Sequence, residues 1–100
     1  METQLALEIL EIIQKNYKYI PSEDDYLLMR HIQLFAHRYL NHQQLTKSFS
    51  NLYDTNKEDI AKTKETIDQI NDFLISNYSF NLTRYEGICF SLHLCNLELQ

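Results

Sequence analysis

The amino-acid sequence predicts an all-α protein, a compact five-helix bundle that forms a single domain over residues 1–100. The first observation is composition: the chain has one glycine and one proline, whereas an all-β sandwich needs turn residues about every ten positions. The second is the hydrophobic fraction of 44%, which is enough to bury a core. The third is helical spacing of apolar residues along most of the chain. One hundred residues suffice for one such core.

The charge distribution and the N-terminal sequence argue against a nucleic-acid-binding, secreted or membrane-spanning protein. The net charge is −5 and the nine Lys and Arg residues are scattered, so we expect no direct nucleic-acid binding by this chain. The N-terminus has acidic residues where a signal peptide needs basic ones, and no apolar run approaches membrane-spanning length. We therefore expect a cytoplasmic protein without membrane insertion. Cys89 and Cys95 face different directions of one predicted helix, which favours reduced thiols.

The first two helices are separated by the only proline. Helix 1, over about residues 3–16, has its apolar residues at helical spacing: Leu5, Ile9, Ile12 and Ile13. Residues 17–20 form a connector, and Pro21 prevents the first helix from continuing. Ser22 as N-cap and Asp25 three residues later form a capping box. Helix 2 is therefore predicted from this point to about Leu40.

Three further helices are predicted after the polar loop at residues 41–44. The third is a short amphipathic segment over residues 45–53. Thr55 and Glu58 form a capping box for the fourth, whose apolar face comprises Ile60, Ile67, Ile70, Leu74 and Tyr78. An extended connector at residues 77–82 leads to a capping box at Thr83 and Glu86. It begins a fifth helix that runs nearly to the C-terminus, with a core stripe of Tyr85, Ile88, Leu92, Cys95 and Leu99.

A line of polar residues crosses the apolar face of helix 2. Asp24, His31 and Arg38 are seven residues apart, which places them on one side of the helix. A buried charge or imidazole must find partners. One interpretation is that these residues satisfy one another or reach the surface at the edge of the bundle; the other is that His31 has a chemical role.

The last helix repeats the arrangement. A shift of 62 positions aligns His93 with His31 and Glu86 with Asp24, so that both helices carry a carboxylate two turns before a histidine. His93 lies off the edge of the predicted core stripe, beside Phe90. A histidine displaced from the core centre is accessible from outside.

These two helices resemble one known domain family. The stretch DDYLLMRHIQLFAHRY is similar to the first histidine helix of the PTS regulation domain, the PRD, and RYEGICFSLHLCN is similar to its second. The resemblance implies a PRD-like five-helix domain of a bacterial antiterminator or transcriptional activator. His31 and His93 would accept phosphoryl groups from the phosphocarrier HPr or a sugar-specific permease component, with Asp24, Arg38 and Glu86 as supporting charges. Phosphorylation would control homodimerisation and thereby gene expression.

Other interpretations stay open. The main alternative is a helical dimerisation or adaptor module with structural histidines and no phosphorylation. Cys89 and His93 are spaced to share a metal, with His31 as a third ligand, but the spacing is not that of a zinc motif, so we expect neither metal nor cofactor. Without a nucleophile elbow or a glycine-rich phosphate loop, an enzyme is not expected. His37 and His42 are predicted to be surface residues.

Overall fold

The computed structural model describes residues 1–23, 26–46 and 57–100. These residues form four helices and two short strands, in the order α1 (Glu2–Asn16), β1 (Tyr17–Lys18), α2 (Leu27–Leu40), α3 (Lys57–Tyr78), α4 (Arg84–Leu94) and β2 (Glu98–Leu99). The prediction of a mainly helical chain is confirmed. The count of five helices is not matched, since the described residues contain four. From residue 47 onward, the predicted third helix lies outside the described residues, as does Thr55 of the next capping box.

The chain divides into two compact units. Residues 1–44 and 97–100 form the first, here called the N-terminal unit. Residues 45–96 form the second, here called the central unit. Each candidate histidine helix belongs to a different unit, α2 to the first and α4 to the second.

The core of the N-terminal unit is built by α1 and α2, which pack against each other. Both helices are amphipathic, and their fully buried large side chains recur three or four residues apart: Leu5, Ile9 and Ile13 on α1, Ile32, Phe35 and Tyr39 on α2. The rings of Phe35 and Tyr39 lie 5.6 Å apart in a tilted arrangement. This spacing puts each apolar face on the side that meets the partner helix.

The start of α2 differs from the prediction. The helix begins at Leu27 with Tyr26 as N-cap and no side-chain cap, rather than at a Ser22 capping box. Asp25, the other half of that predicted box, lies outside the described residues. Ser22, Glu23 and Tyr26 are exposed, and Leu28 is the first buried residue of α2. Because helices gain most of their stability from packing an apolar face, α2 starts where that face starts.

The end of α2 is a Schellman motif with an unusual residue. His42 has φ 57, the left-handed conformation that glycine normally adopts at this position. Its backbone N–H donates to Tyr39 O at 3.2 Å, and the N–H of Gln43 donates to Arg38 O at 2.7 Å. The two bonds satisfy carbonyls at the end of α2 that have no partner within the helix.

The two strands belong to the N-terminal unit. They pair antiparallel with Tyr17 opposite Leu99 and Lys18 opposite Glu98. The backbone N–H of Gln100 donates to Asn16 O at 3.1 Å, and its side-chain amide donates to Gln14 O and Tyr17 O. Sequence reasoning assigned a connector to residues 17–20 and a helix to the C-terminal residues; both assignments are wrong at these strands.

In the central unit, α3 packs against α4. The buried residues of α3 are Thr63, Thr66, Ile70 and Leu74. The predicted apolar face is therefore correct in its middle, at Ile70 and Leu74, and incomplete toward its start, where two threonines are buried. The Thr63 hydroxyl donates to Asp59 O at 3.1 Å, which satisfies the buried oxygen within the helix.

The buried face of α4 matches the predicted stripe only in part. Ile88 and Cys95 of that stripe are buried, whereas Tyr85 and Leu92 are half-buried and Leu99 is exposed. The other buried residues of the helix are Glu86, Gly87, Phe90, Ser91 and Leu94. The observed face is turned by roughly a third of a turn from the predicted one. The reason is that α4 has apolar residues on nearly every side, so the spacing does not define one face.

Two further predictions concern the cysteines and membrane insertion. As predicted from their spacing, Cys89 and Cys95, the only two cysteines, form no disulfide. Among the residues that the structure describes, no helix is both long enough and apolar enough to cross a membrane.

Candidate functional site

His31 lies on α2 at the edge of the core of the N-terminal unit. The side chain is half-buried, and the next residue, Ile32, is fully buried. One turn before and one turn after it, Leu27 and Leu34 are 61% and 47% exposed. His31 therefore lies between the packed face of α2 and an exposed apolar strip.

The structure defines the environment of one ring nitrogen of His31. Nε2 is buried and makes no hydrogen bond, although the residue has other interactions. Imidazole carries one N–H and one lone pair when neutral. A phosphoryl group added to His31 in this conformation would therefore meet packed atoms at Nε2.

The supporting charges predicted on helix 2 are only partly described. Arg38 is half-buried in the last turn of α2, seven residues beyond His31 and so about 10 Å along the helix axis. Asp24 lies outside the described residues. The polar line across α2 is thus described for two of its three members.

His93 occupies the last turn of α4 in the central unit. It is half-buried and sits beside Leu94, which is fully buried. Burial lowers the pKa of the His93 imidazole from its ordinary value of 6.5, because a low-dielectric environment disfavours the charged ring. At neutral pH the uncharged ring is therefore favoured, and an uncharged imidazole carries one lone pair on nitrogen.

Glu86 is completely buried near the start of α4. Its Oε2 accepts a hydrogen bond from the backbone N–H of Leu45 at 3.0 Å. Thr83 donates its hydroxyl proton to Leu45 O at 2.6 Å and, as N-cap, accepts from Glu86 N at 3.4 Å. The predicted start of this helix is thus confirmed, and the same two side chains hold both backbone polar groups of Leu45.

The sequence does not predict the two hydrogen bonds by which Thr83 and Glu86 hold the backbone of Leu45. Thr83 and Glu86 were identified as a capping pair from their spacing, which is a local signal. Their bonds to Leu45 join residues about 40 positions apart, and no pattern in the sequence marks such a pairing. The hydrogen bond from Leu45 gives the buried Glu86 side chain a partner within the protein. Burial of Glu86 therefore does not by itself indicate a functional site.

The other two histidines are at the surface, as predicted. His37 and His42 are both exposed. Nδ1 of His37 lies 2.7 Å from Oε1 of Glu2, and this contact joins the start of α1 to the last turn of α2. Both side chains are about half exposed, so the pair is a weak surface interaction.

The candidate residues thus fall into two local groups. His31 and Arg38 share α2 of the N-terminal unit, and Glu86 and His93 share α4 of the central unit. Within the described ranges, no cluster of three or more His, Cys, Asp or Glu side chains is placed to hold a metal ion. Each group therefore offers one half-buried imidazole next to a packed core.

Comparisons with protein-family models, with curated proteins and with solved structures give no match to this chain.

Proposed function

We propose that this chain is a PRD-like regulatory domain that accepts phosphoryl groups on His31 and His93. In this proposal it is a five-helix, single-domain, cytoplasmic protein that regulates bacterial sugar-utilisation genes. The donor is HPr or a sugar-specific permease component, and phosphorylation controls homodimerisation and thereby transcription or antitermination. The domain itself binds no nucleic acid. The proposal rests on the two histidine helices described from the sequence.

The observation that carries the proposal is the environment of His93. A phosphoryl acceptor must be a neutral imidazole that a donor can reach. The lowered pKa of His93 favours the neutral ring at pH 7, and the residue is only half-buried. These two properties support the assignment of His93 as an acceptor.

The chemical step is a transfer between nitrogens. The lone pair of the acceptor imidazole attacks the phosphorus of the donor phosphohistidine, a new N–P bond forms and the donor N–P bond breaks. The acceptor gains a group that brings about two negative charges. On α2, such a charge would lie beside the exposed Leu27 and Leu34 and would oppose burial of that strip in a dimer.

A helical dimerisation or adaptor module without phosphorylation is the second candidate. The buried Nε2 of His31 favours it, because a buried nitrogen is typical of a structural histidine. The exposed Leu27 and Leu34 would then serve a permanent apolar interface. The two candidates differ in whether the chain accepts phosphate at all.

The experiment is a phosphorylation assay read by intact mass. The full chain is incubated with phosphoenolpyruvate and the general phosphotransferase proteins, with and without a permease component. We expect an acid-labile addition of one or two phosphates, and His31→Ala and His93→Ala each remove a share. His37→Ala is the matched surface control and leaves labelling unchanged.

Two outcomes contradict the proposal in different ways. No labelling, under conditions that label a control domain, rejects phosphorylation and favours the adaptor module. Labelling that persists in the His31→Ala/His93→Ala double variant rejects the assigned sites.

A further inference from the structure

The exposed apolar strip of α2 consists of two leucines. Leu27 and Leu34 are 61% and 47% exposed, and their spacing of seven residues places them within about 20° of each other around the helix axis. The fully buried Ile32 points roughly 150° away from this strip. A partner can therefore contact both leucines without disturbing the core of the N-terminal unit.

The strip is complementary to the same strip on a second copy of the chain. If two copies of α2 run antiparallel, Leu27 of each copy lies opposite Leu34 of the other. If they run parallel, each leucine lies opposite its own equivalent. Both arrangements are two-fold symmetric, which is the commonest symmetry of homo-oligomers, and both join leucine to leucine. The orientation is therefore decided by charge.

The charges at the two ends of α2 favour the antiparallel orientation. The last turn of the helix contains the basic residues His37 and Arg38, and the segment before the helix contains the exposed Glu23. An antiparallel pair places each basic end beside the acidic end of the partner, whereas a parallel pair brings like charges together. The partial charges at the helix ends have the same preference, because an N-terminus then lies beside a C-terminus.

The size of α2 fits a weak and reversible pair. The helix has 14 residues, which corresponds to a length of about 21 Å and a width of about 10 Å. Contact along one side therefore covers roughly 200 Å² in projection, whereas a stable interface buries about 800 Å² per partner. The net charge of −5 on each copy adds repulsion. We expect a dissociation constant on the order of 100 μM.

We infer that two copies of this chain associate through an antiparallel pair of α2 helices, with Leu27 of each copy against Leu34 of its partner. His31 and Arg30 lie about 50° to either side of the strip. The two His31 side chains therefore meet on one side of the pair, and the two Arg30 side chains meet on the other.

This pairing deepens the proposed function, on which its regulatory role rests. A phosphoryl group on each His31 brings about two negative charges, and the two groups would face each other across the two-fold axis. Their repulsion would separate the copies. The pairing itself requires no phosphorylation, so it can be tested in the unmodified chain.

The first test is sedimentation equilibrium of the full chain from about 10 μM to about 1 mM, a range that brackets the expected dissociation constant. Leu34→Gln is expected to weaken dimerisation at least about tenfold. Leu7→Gln is the matched control, because Leu7 lies on α1 of the same unit and is 52% exposed, and it should leave dimerisation unchanged. A chain that stays monomeric throughout, or equal effects of the two variants, overturns the inference.

The second test determines orientation by disulfide cross-linking. In the antiparallel pair the two Leu27 positions are about 10 Å apart along the axis, which is too far for a disulfide. Leu27→Cys/Leu34→Cys should therefore give disulfide-linked dimers on oxidation, and Leu27→Cys alone should not. The unchanged chain, which contains Cys89 and Cys95, is the reference. Rapid cross-linking of Leu27→Cys alone indicates a parallel pair and contradicts the proposed arrangement.

The third test concerns the residues beside the axis. His31→Glu should weaken the dimer at least about tenfold, while His31→Gln should stay within about twofold of the unchanged chain. Arg30→Glu, at an exposed position, is a second variant that does not disturb the core. Mixed with the unchanged chain, it should form heterodimers more tightly than either homodimer, because Arg30 then faces a glutamate.

Failure of this inference and failure of the proposed function give different results. A dimer that forms in a chain that the phosphotransferase proteins do not label rejects the proposed function and supports the pairing. Unchanged dimerisation in His31→Glu, together with no preference for the heterodimer in the Arg30→Glu mixture, rejects the placement of these residues beside the axis.

Discussion

The two helices that carry the candidate histidines differ in how well their starts follow from the sequence. On α2 the predicted cap at Ser22 does not start the helix, and His31, predicted on the apolar face, lies at the edge of the buried one, beside the exposed Leu27 and Leu34. On α4 the cap at Thr83 starts the helix as predicted, while the predicted stripe contains only part of the buried face. A cap is a local signal that fixes where a helix begins, and periodicity is a packing signal that fixes which side is buried. Each is informative only where the competing signals are weak.

The largest expected effect tests which face of α4 is buried. Leu94 is fully buried and Leu92 is half-buried, although the apolar spacing assigned Leu92 to the core. Leu94→Ala should lower the free energy of unfolding by about 3 kcal/mol, within the range for buried leucines, and Leu92→Ala by about 1 kcal/mol. Urea unfolding of the two variants measures the difference. A larger loss for Leu92→Ala would restore the stripe predicted from the sequence.

The next effect tests the start of α4 against that of α2. Glu86→Ala removes the buried side chain that accepts from the Leu45 N–H, and a hydrogen bond to a carboxylate contributes about 1.5–3 kcal/mol. We expect a loss of about 2 kcal/mol and faster hydrogen exchange at the Leu45 amide.

Tyr26→Ala, at the uncapped and exposed start of α2, is the comparison variant. It should change stability by less than about 0.5 kcal/mol. Equal effects of Tyr26→Ala and Glu86→Ala would mean that the bond to Leu45 contributes no stability.

A smaller effect, of opposite sign, is expected at the end of α2. His42 adopts a left-handed conformation that costs a non-glycine residue about 1–2 kcal/mol. Glycine loses more conformational freedom on folding, so His42→Gly should give a net gain of about 0.5–1 kcal/mol in thermal or urea unfolding. Asn41→Gly, one residue earlier at φ −98, has no such strain to relieve and should destabilise the chain. A loss of stability in His42→Gly would contradict the Schellman interpretation.

The smallest expected effect concerns the pH dependence contributed by His93. Burial lowers its pKa in the folded state below the ordinary 6.5. Between these two values the unfolded chain binds more protons, so stability falls as the pH drops below about 6.5. Above that range both states are neutral and the contribution vanishes. Urea unfolding at pH 7.5 and 5.5 should show a smaller loss at low pH in His93→Gln than in the unchanged chain, and an identical loss would reject the lowered pKa.

The helical class of the chain was predictable because it depends on composition and on local spacing. Most boundaries of α1, α3 and α4 follow from the same signals. The pairing of β1 with β2 was not predictable, because Tyr17 meets Leu99 across about 80 residues and two-residue strands leave no pattern. The late start of α2 depends on where packing begins, at Leu28, and this is a property of the folded unit.

For the candidate residues, the sequence predicts positions on helices but not the burial and hydrogen bonds of individual side-chain atoms. The sequence predicts His31 on the apolar face of α2 and His93 off the edge of the core stripe of α4, and both residues are half-buried in the structure. The burial of Nε2 of His31 and the hydrogen bonds of Thr83 and Glu86 to Leu45 depend on tertiary structure, and no local sequence pattern predicts them.

The pairing of β1 with β2 also has a consequence for synthesis. The N-terminal unit contains residues 1–44 and 97–100, so its last hydrogen bonds cannot form before residues 97–100 have been synthesised. At 5–20 residues per second, the intervening 52 residues from 45 to 96 take roughly 3–10 seconds to make. During that interval the carbonyls of Gln14, Asn16 and Tyr17 are without the bonds that Gln100 later donates.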